Sequence, residues 1–72
     1  MDINKPYFQA IGANLMALRA ILTHALQDVE HGLEAVEQGQ QNGAVGSILP
    51  TEPLLTQAGI LIQAILVLHR QK

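Results

Sequence analysis

The sequence predicts an all-α fold: a helical hairpin with a long first helix, a Gly/Pro-rich loop and a shorter, very apolar second helix, assembling as a homodimeric four-helix bundle. Three observations predict it. The stretch from Leu54 to Leu68 is apolar over more than half the circumference of a helix, with Thr56, Gly59, Gln63 and then Arg70 as its polar or empty wedge. One neighbouring helix covers a stripe, so this stretch calls for partners on several sides. Upstream, apolar residues alternate at spacings of three and four along a second, longer segment. Between the two lie Gly39, Gly43, Gly46, Pro50 and Pro53, which forbid one continuous helix.

Taken in order, Asn4 or Lys5 is placed to cap the first helix, and Pro6 suits its first turn, where the missing N–H costs nothing. Phe8, Ile11, Leu15, Leu18, Leu22, Ala25, Val29, Leu33 and Val36 then form the expected seam, giving a helix over about residues 6–38. Gly12 and Gly32 are its weak points, each costing up to about 1 kcal/mol relative to Ala. Gly32 falls on the seam and is a candidate close contact. Ala10, Ala13, Ala17 and Ala20 make a shallow second face, suited to helix formation and to close approach. Gly39 fits a helix C-cap. The loop over about residues 39–51 carries Val45, Ile48 and Leu49, so it is expected to fold back over Val29, Leu33 and Val36 at the overhanging end of the first helix. Thr51 is the expected cap of a second helix over about residues 52–70, with Glu52 in its first turn and Arg70 and Lys72 at its negative end.

The chain has 72 residues, so it forms one domain with room for one core. Ordering it costs on the order of 100 kcal/mol in conformational entropy, and small cores barely offset that without disulfides, metal or oligomerisation. Cysteine is absent, which excludes disulfides and thiolate metal sites. Charged residues make up 14% of the chain against 49% hydrophobic, where about 25% charged is usual. That surface is poorly suited to a small monomer. The cations Lys5, Arg19, Arg70 and Lys72 are scattered, whereas a phosphate backbone needs several on one face, so nucleic acid is not an expected partner. No secretory signal opens the sequence, and a cytoplasmic location is expected. The apolar run at Leu54 to Leu68 falls short of the roughly 20 residues that span a bilayer, and Gln57 and Gln63 interrupt it.

Chemistry-bearing residues are few. His24, Asp28 and His31, spaced i, i+4, i+7, lie on one side of the first helix and make a low-ranked candidate for a Zn²⁺ or iron site. The favoured reading of the three is a solvated face with a His–Asp contact, so no metal and no cofactor is expected. Ser47 has no histidine near it in sequence, and its glycine-rich surroundings lack the lysine of a phosphate-binding loop, so no catalytic residue is assigned. Asp28, Glu30, Glu34 and Glu37 form an acidic run towards the turn.

The expected function is therefore that of a non-enzymatic interaction protein, a small homo-oligomeric adaptor, chaperone-like or regulatory subunit that binds itself and another protein. The expected oligomer interface is Leu54, Leu55, Gln57, Ala58 and Leu61, continuing through Ile62, Ile65, Leu66 and Leu68. Leu61 and Ile65 should be essentially buried, and a buried Gln57 would set register between subunits. Opposite charge at the two ends of the hairpin favours an antiparallel dimer. A membrane-associated amphipathic protein is the alternative, and a metal-binding bundle the third reading.

Overall fold

Pro6 opens the first helix, as its missing donor allows, and nothing interrupts that helix for nine turns. The computed structural model describes residues 6–71, and every regular element among them is α-helical: α1, Pro6–Glu37; α2, Gln41–Ile48; and α3, Thr51–His69. The expected caps Asn4 and Lys5 and the terminal Lys72 lie outside the described residues.

The chain reverses at Gly39, the one described residue with positive φ, at 72°. The Gly39 N–H donates to the Val36 carbonyl at 2.9 Å, and the Gln40 N–H donates to the Ala35 carbonyl at 2.8 Å. This pair of bonds is a Schellman closure, and it needs a left-handed residue that glycine adopts without strain. Gly39 is thus the C-terminal stop that the sequence predicts.

Residues 41–48 are helical, where the sequence reading placed a loop. Gly43 and Gly46 weaken a helix without breaking it, and the first proline comes only at position 50. The hydroxyl of Ser47 donates to the Gly43 carbonyl at 2.9 Å, and α2 gains support by packing on α1. Gly32 makes that approach possible: a Cβ there would stand 3.3 Å from the Ala44 carbonyl oxygen and 3.7 Å from Ile48 Cγ2. The segment does fold back over the overhanging end of α1, but it covers Gly32 and Ala35 rather than Val29, Leu33 and Val36.

Leu49 and Pro50 keep right-handed helical φ and ψ, so α2 and α3 form one returning arm, broken where Pro50 lacks a donor. Pro50, not Thr51, occupies the cap position of α3, and no side chain caps it. Glu52 lies in the first turn and Arg70 at the C-cap, as the dipole favours.

The seam between α1 and the returning arm differs from the expected one. Ile11, Asn14, Leu18, Ile21, Ala25, Asp28, Gly32 and Ala35 turn inward, facing Thr51, Leu54, Ala58, Leu61, Ile65 and Leu68 where α3 runs alongside. Both sets follow the three-four alternation. The row Ile11, Leu18, Ala25 is shared with the expected seam, but its companion row lies on the other side, a rotation of α1 by about 50° at 100° per residue. Leu15, Leu22, Val29, Leu33 and Val36 consequently stay 43–60% exposed. Leu61 and Ile65 are half-buried rather than buried.

The result is a layer one helix thick. Its extents are 53 × 17 × 11 Å, and a helix with its side chains is about 10–12 Å across. The radius of gyration is 16.5 Å, against about 11 Å for a compact domain of this length. Among the described residues no large side chain is fully buried, and the apolar core consists of Ala25, Ala35 and Ala58.

Two glycines of the turn region should respond oppositely to substitution. Around Gly46 nothing lies within 4 Å of an added Cβ, so Gly46→Ala should raise stability by about 0.5–1 kcal/mol through helix propensity. Gly32→Val should lower it by about 1–3 kcal/mol through overpacking against α2. Thermal denaturation followed by circular dichroism checks both signs.

Candidate functional site

Asp28 is the polar residue that the sequence places on an outer face and the fold places inside. Each seam position recurs about every 3.5 residues, and Asp28 stands three residues after Ala25 and four before Gly32, so it shares their inward direction. The hydroxyl of Thr51 donates to Asp28 Oδ2 at 2.9 Å, and both residues are buried. This is a contact between positions 23 apart in sequence, made where α3 starts. Losing the cap role leaves the Thr51 hydroxyl available to the carboxylate, which satisfies both groups; among the described residues no buried side-chain nitrogen or oxygen lacks a partner.

His24 lies one turn before Asp28, with its Nε2 3.8 Å from Asp28 Oδ1. That distance is too long for a hydrogen bond, and the imidazole is exposed, so any attraction is screened by solvent. His31 is exposed as well. The three residues therefore do not converge: Asp28 points into the seam and is engaged by Thr51, while the two imidazoles face solvent. No group of three or more His, Asp or Glu suited to a metal ion occurs among the described residues. The structure thus does not bring the candidate metal residues His24, Asp28 and His31 together. Glu30, Glu34 and Glu37 remain exposed, so of the acidic run only Asp28 has left the solvent.

The residues expected at an oligomer interface divide into two groups. Leu54, Ala58, Leu61, Ile65 and Leu68 face α1 within the hairpin. Leu55, Ile62 and Leu66 point away from it and stay about half exposed. Gln57 is exposed too, so it sets no register inside the hairpin. The buried polar pair that pins register is Asp28 and Thr51. Of the alanine face, Ala10 is partly covered, while Ala13, Ala17 and Ala20 are open.

The outward rows of the two arms share a side. In an antiparallel pair, the residue following an inward position on one helix flanks the seam on the same side as the corresponding residue of the other. By this rule Leu15, Leu22 and Val29 of α1 lie beside Leu55 and Ile62 of α3. A groove at the turn end bears this out: Val29, Val45, Ile48, Leu49 and Leu55 line it together with Thr51, Glu52 and Thr56. The opposite side carries Ala17, His24 and His31 with Gln57 and Ala64. The hairpin is therefore apolar along both arms on one face, while the other is small or polar along α1 and carries Ile60 and Val67 at the outer edge of α3. A signal for this was present in the width of the apolar arc on the first helix, broader than one seam requires.

Single substitutions at the buried pair should be costly, and the double substitution should not. Thr51→Val or Asp28→Leu leaves the partner unsatisfied and should cost about 1–3 kcal/mol; together they should recover most of that loss. Chemical denaturation of the four proteins of the cycle measures the coupling. Compared with known proteins, the chain matches no family model, and no curated protein or solved structure is significantly similar to it.

Proposed function

We propose that this chain is a non-enzymatic structural protein that works as a homodimer, two hairpins making a four-helix bundle that presents helix surfaces to a protein partner. One observation carries the reading: the hairpin is a single layer whose buried apolar residues are alanines, while its leucines, isoleucines and valines lie largely outside the seam core. Soluble domains bury apolar faces between at least two layers. Another copy supplies such a second layer by symmetry alone. A protein partner would meet what the bundle leaves outside, including Ile60 and Val67 on the outer edge of α3, both more than half exposed.

A second reading is favoured by one specific observation. The helical stretch Gln41–His69, α2 and α3 taken together, is long and apolar enough to cross a membrane by length and composition, with 11% of its most apolar window buried. The break at Leu49–Pro50 interrupts that stretch, and its lack of Lys or Arg suits a helix lying on a lipid surface poorly, though not one that crosses. Association between copies is the better supported reading.

Size exclusion coupled to light scattering tests it. At micromolar concentration the mass should be twice the chain mass of 7.8 kDa, and it should not change when salt is raised tenfold, because apolar burial supplies the affinity and exposed ion pairs contribute about 0–1 kcal/mol each. A monomer at that concentration would overturn the proposal.

A further inference from the structure

We infer that the broad apolar face of the hairpin, formed by Leu15, Leu22 and Val29 of α1 with Leu55 and Ile62 of α3, is covered by the same face of a second copy, stacked antiparallel about a twofold axis passing near Leu22. This rests on the self-association proposed above and adds to it the face and the orientation. It also extends the interface from α3 alone, where the sequence predicts it, to both arms.

The area argues for a second copy. The chain exposes 5518 Å², where a compact monomer of its mass exposes about 4400 Å². The surplus is on the order of 1000 Å², comparable to the roughly 800 Å² that one partner contributes to a stable interface. A layer 11 Å thick becomes a two-layer bundle when one such face closes on another.

The balance of the two sides selects the face. The opposite side offers Ala17, His24, His31 and Gln57, all exposed, which lose little by remaining in water, and its large exposed apolar residues are Ile60 and Val67 on the outer edge of α3, with none on α1. Charge selects the orientation. Glu30, Glu34, Glu37 and Glu52 stand towards the turn end, while His69 and Arg70 stand at the open end. Parallel stacking would bring both sets of glutamates together, and antiparallel stacking sets each beside the partner's Arg70. Leu22 lies midway along the apolar row that runs from Phe8 to Val36, so an axis there brings the two rows into full overlap. Antiparallel stacking then lays α1 on the partner's α1 and α3 on the partner's α3. The groove of Val45, Ile48, Leu49 and Leu55 receives the open end of the partner's α3.

Because the chain has no cysteine, a single introduced thiol reports its own neighbours. Leu22→Cys should form an intermolecular disulfide under mild oxidation at least about tenfold faster than Ala17→Cys on the opposite side, since the dimer raises its effective concentration. An equimolar mixture of Leu15→Cys and Val29→Cys should give the mixed disulfide in preference to either homodimer. Three results would overturn the inference while leaving a dimer by light scattering intact. They are faster linkage at Ala17→Cys, equal rates at the two sites, or linkage of Leu15→Cys to Ile62→Cys in place of self-linkage at Leu22→Cys, which marks parallel stacking. A monomeric mass for the unmodified chain overturns both the inference and the reading beneath it, and cosedimentation of that monomer with phosphatidylcholine vesicles would identify lipid as the occupant instead.

Discussion

The hydrogen bond from Thr51 to Asp28 ties the start of α3 to a fixed point three quarters of the way along α1. A hairpin whose seam repeats half-buried leucines and isoleucines between alanines at a regular spacing meets similar contacts after a slide of one heptad. A buried carboxylate is different in kind. Moving Thr51 by one turn would leave that carboxylate without its donor, and the penalty for a buried unpaired charge exceeds that of losing a few apolar contacts. Register is therefore specified by polarity, and the chain on either side of Thr51 follows from it. α3 is left to run beside the N-terminal part of α1, and the residues before Thr51 must cover the rest.

That remainder explains the turn region. The overhang of α1 beyond Asp28 presents Gly32 and Ala35 along the seam, a shallow surface that a backbone can approach closely. A short helix containing two glycines of its own fits there, and Pro50 interrupts its continuation into α3. The three devices act in sequence: Gly39 reverses the chain, Gly32 admits α2, and the Thr51 hydroxyl fixes α3. None of them uses a large apolar side chain. The large side chains outside the seam are left to form a surface, and the function proposed for the chain resides in that surface rather than in a pocket.

The seam and the outer rows also share out the work expected of a four-helix bundle. Each helix of such a bundle touches two neighbours, so its apolar arc must be wider than one seam. On α1 that arc begins at the row of Ile11, Leu18 and Ala25, which faces the returning arm, and continues through Leu15, Leu22 and Val29 to Leu26 and Leu33. On α3 the corresponding outer residues are Leu55, Ile62 and Leu66, with Thr56, Gln63 and Arg70 turned furthest from α1. Closing the hairpin uses one edge of the arc. The other edge, with Leu15, Leu22, Leu26 and Leu33 exposed, is left for the proposed contact between chains.

By itself, the sequence determined the helical class, the limits of the two long helices to within one or two residues, the stop at Gly39 and the return of the intervening segment onto α1. These follow from local rules: proline and glycine fix where a backbone helix can start and end, and the periodic apolar pattern fixes that it is a helix. The tertiary structure alone decided which edge of the apolar arc meets the other arm, that residues 41–48 are helical, and that Asp28 is inside. A periodic pattern gives the direction of an apolar face but not the identity of its neighbour, so rotation by about 50° leaves the pattern equally satisfied. The helicity of α2 depends on contacts with Gly32 and its surroundings, which outweigh a weak local propensity. Asp28 reads as solvated until Thr51, 23 residues away, is brought within 2.9 Å of it. That meeting is a product of the antiparallel return, and no short-range rule contains it.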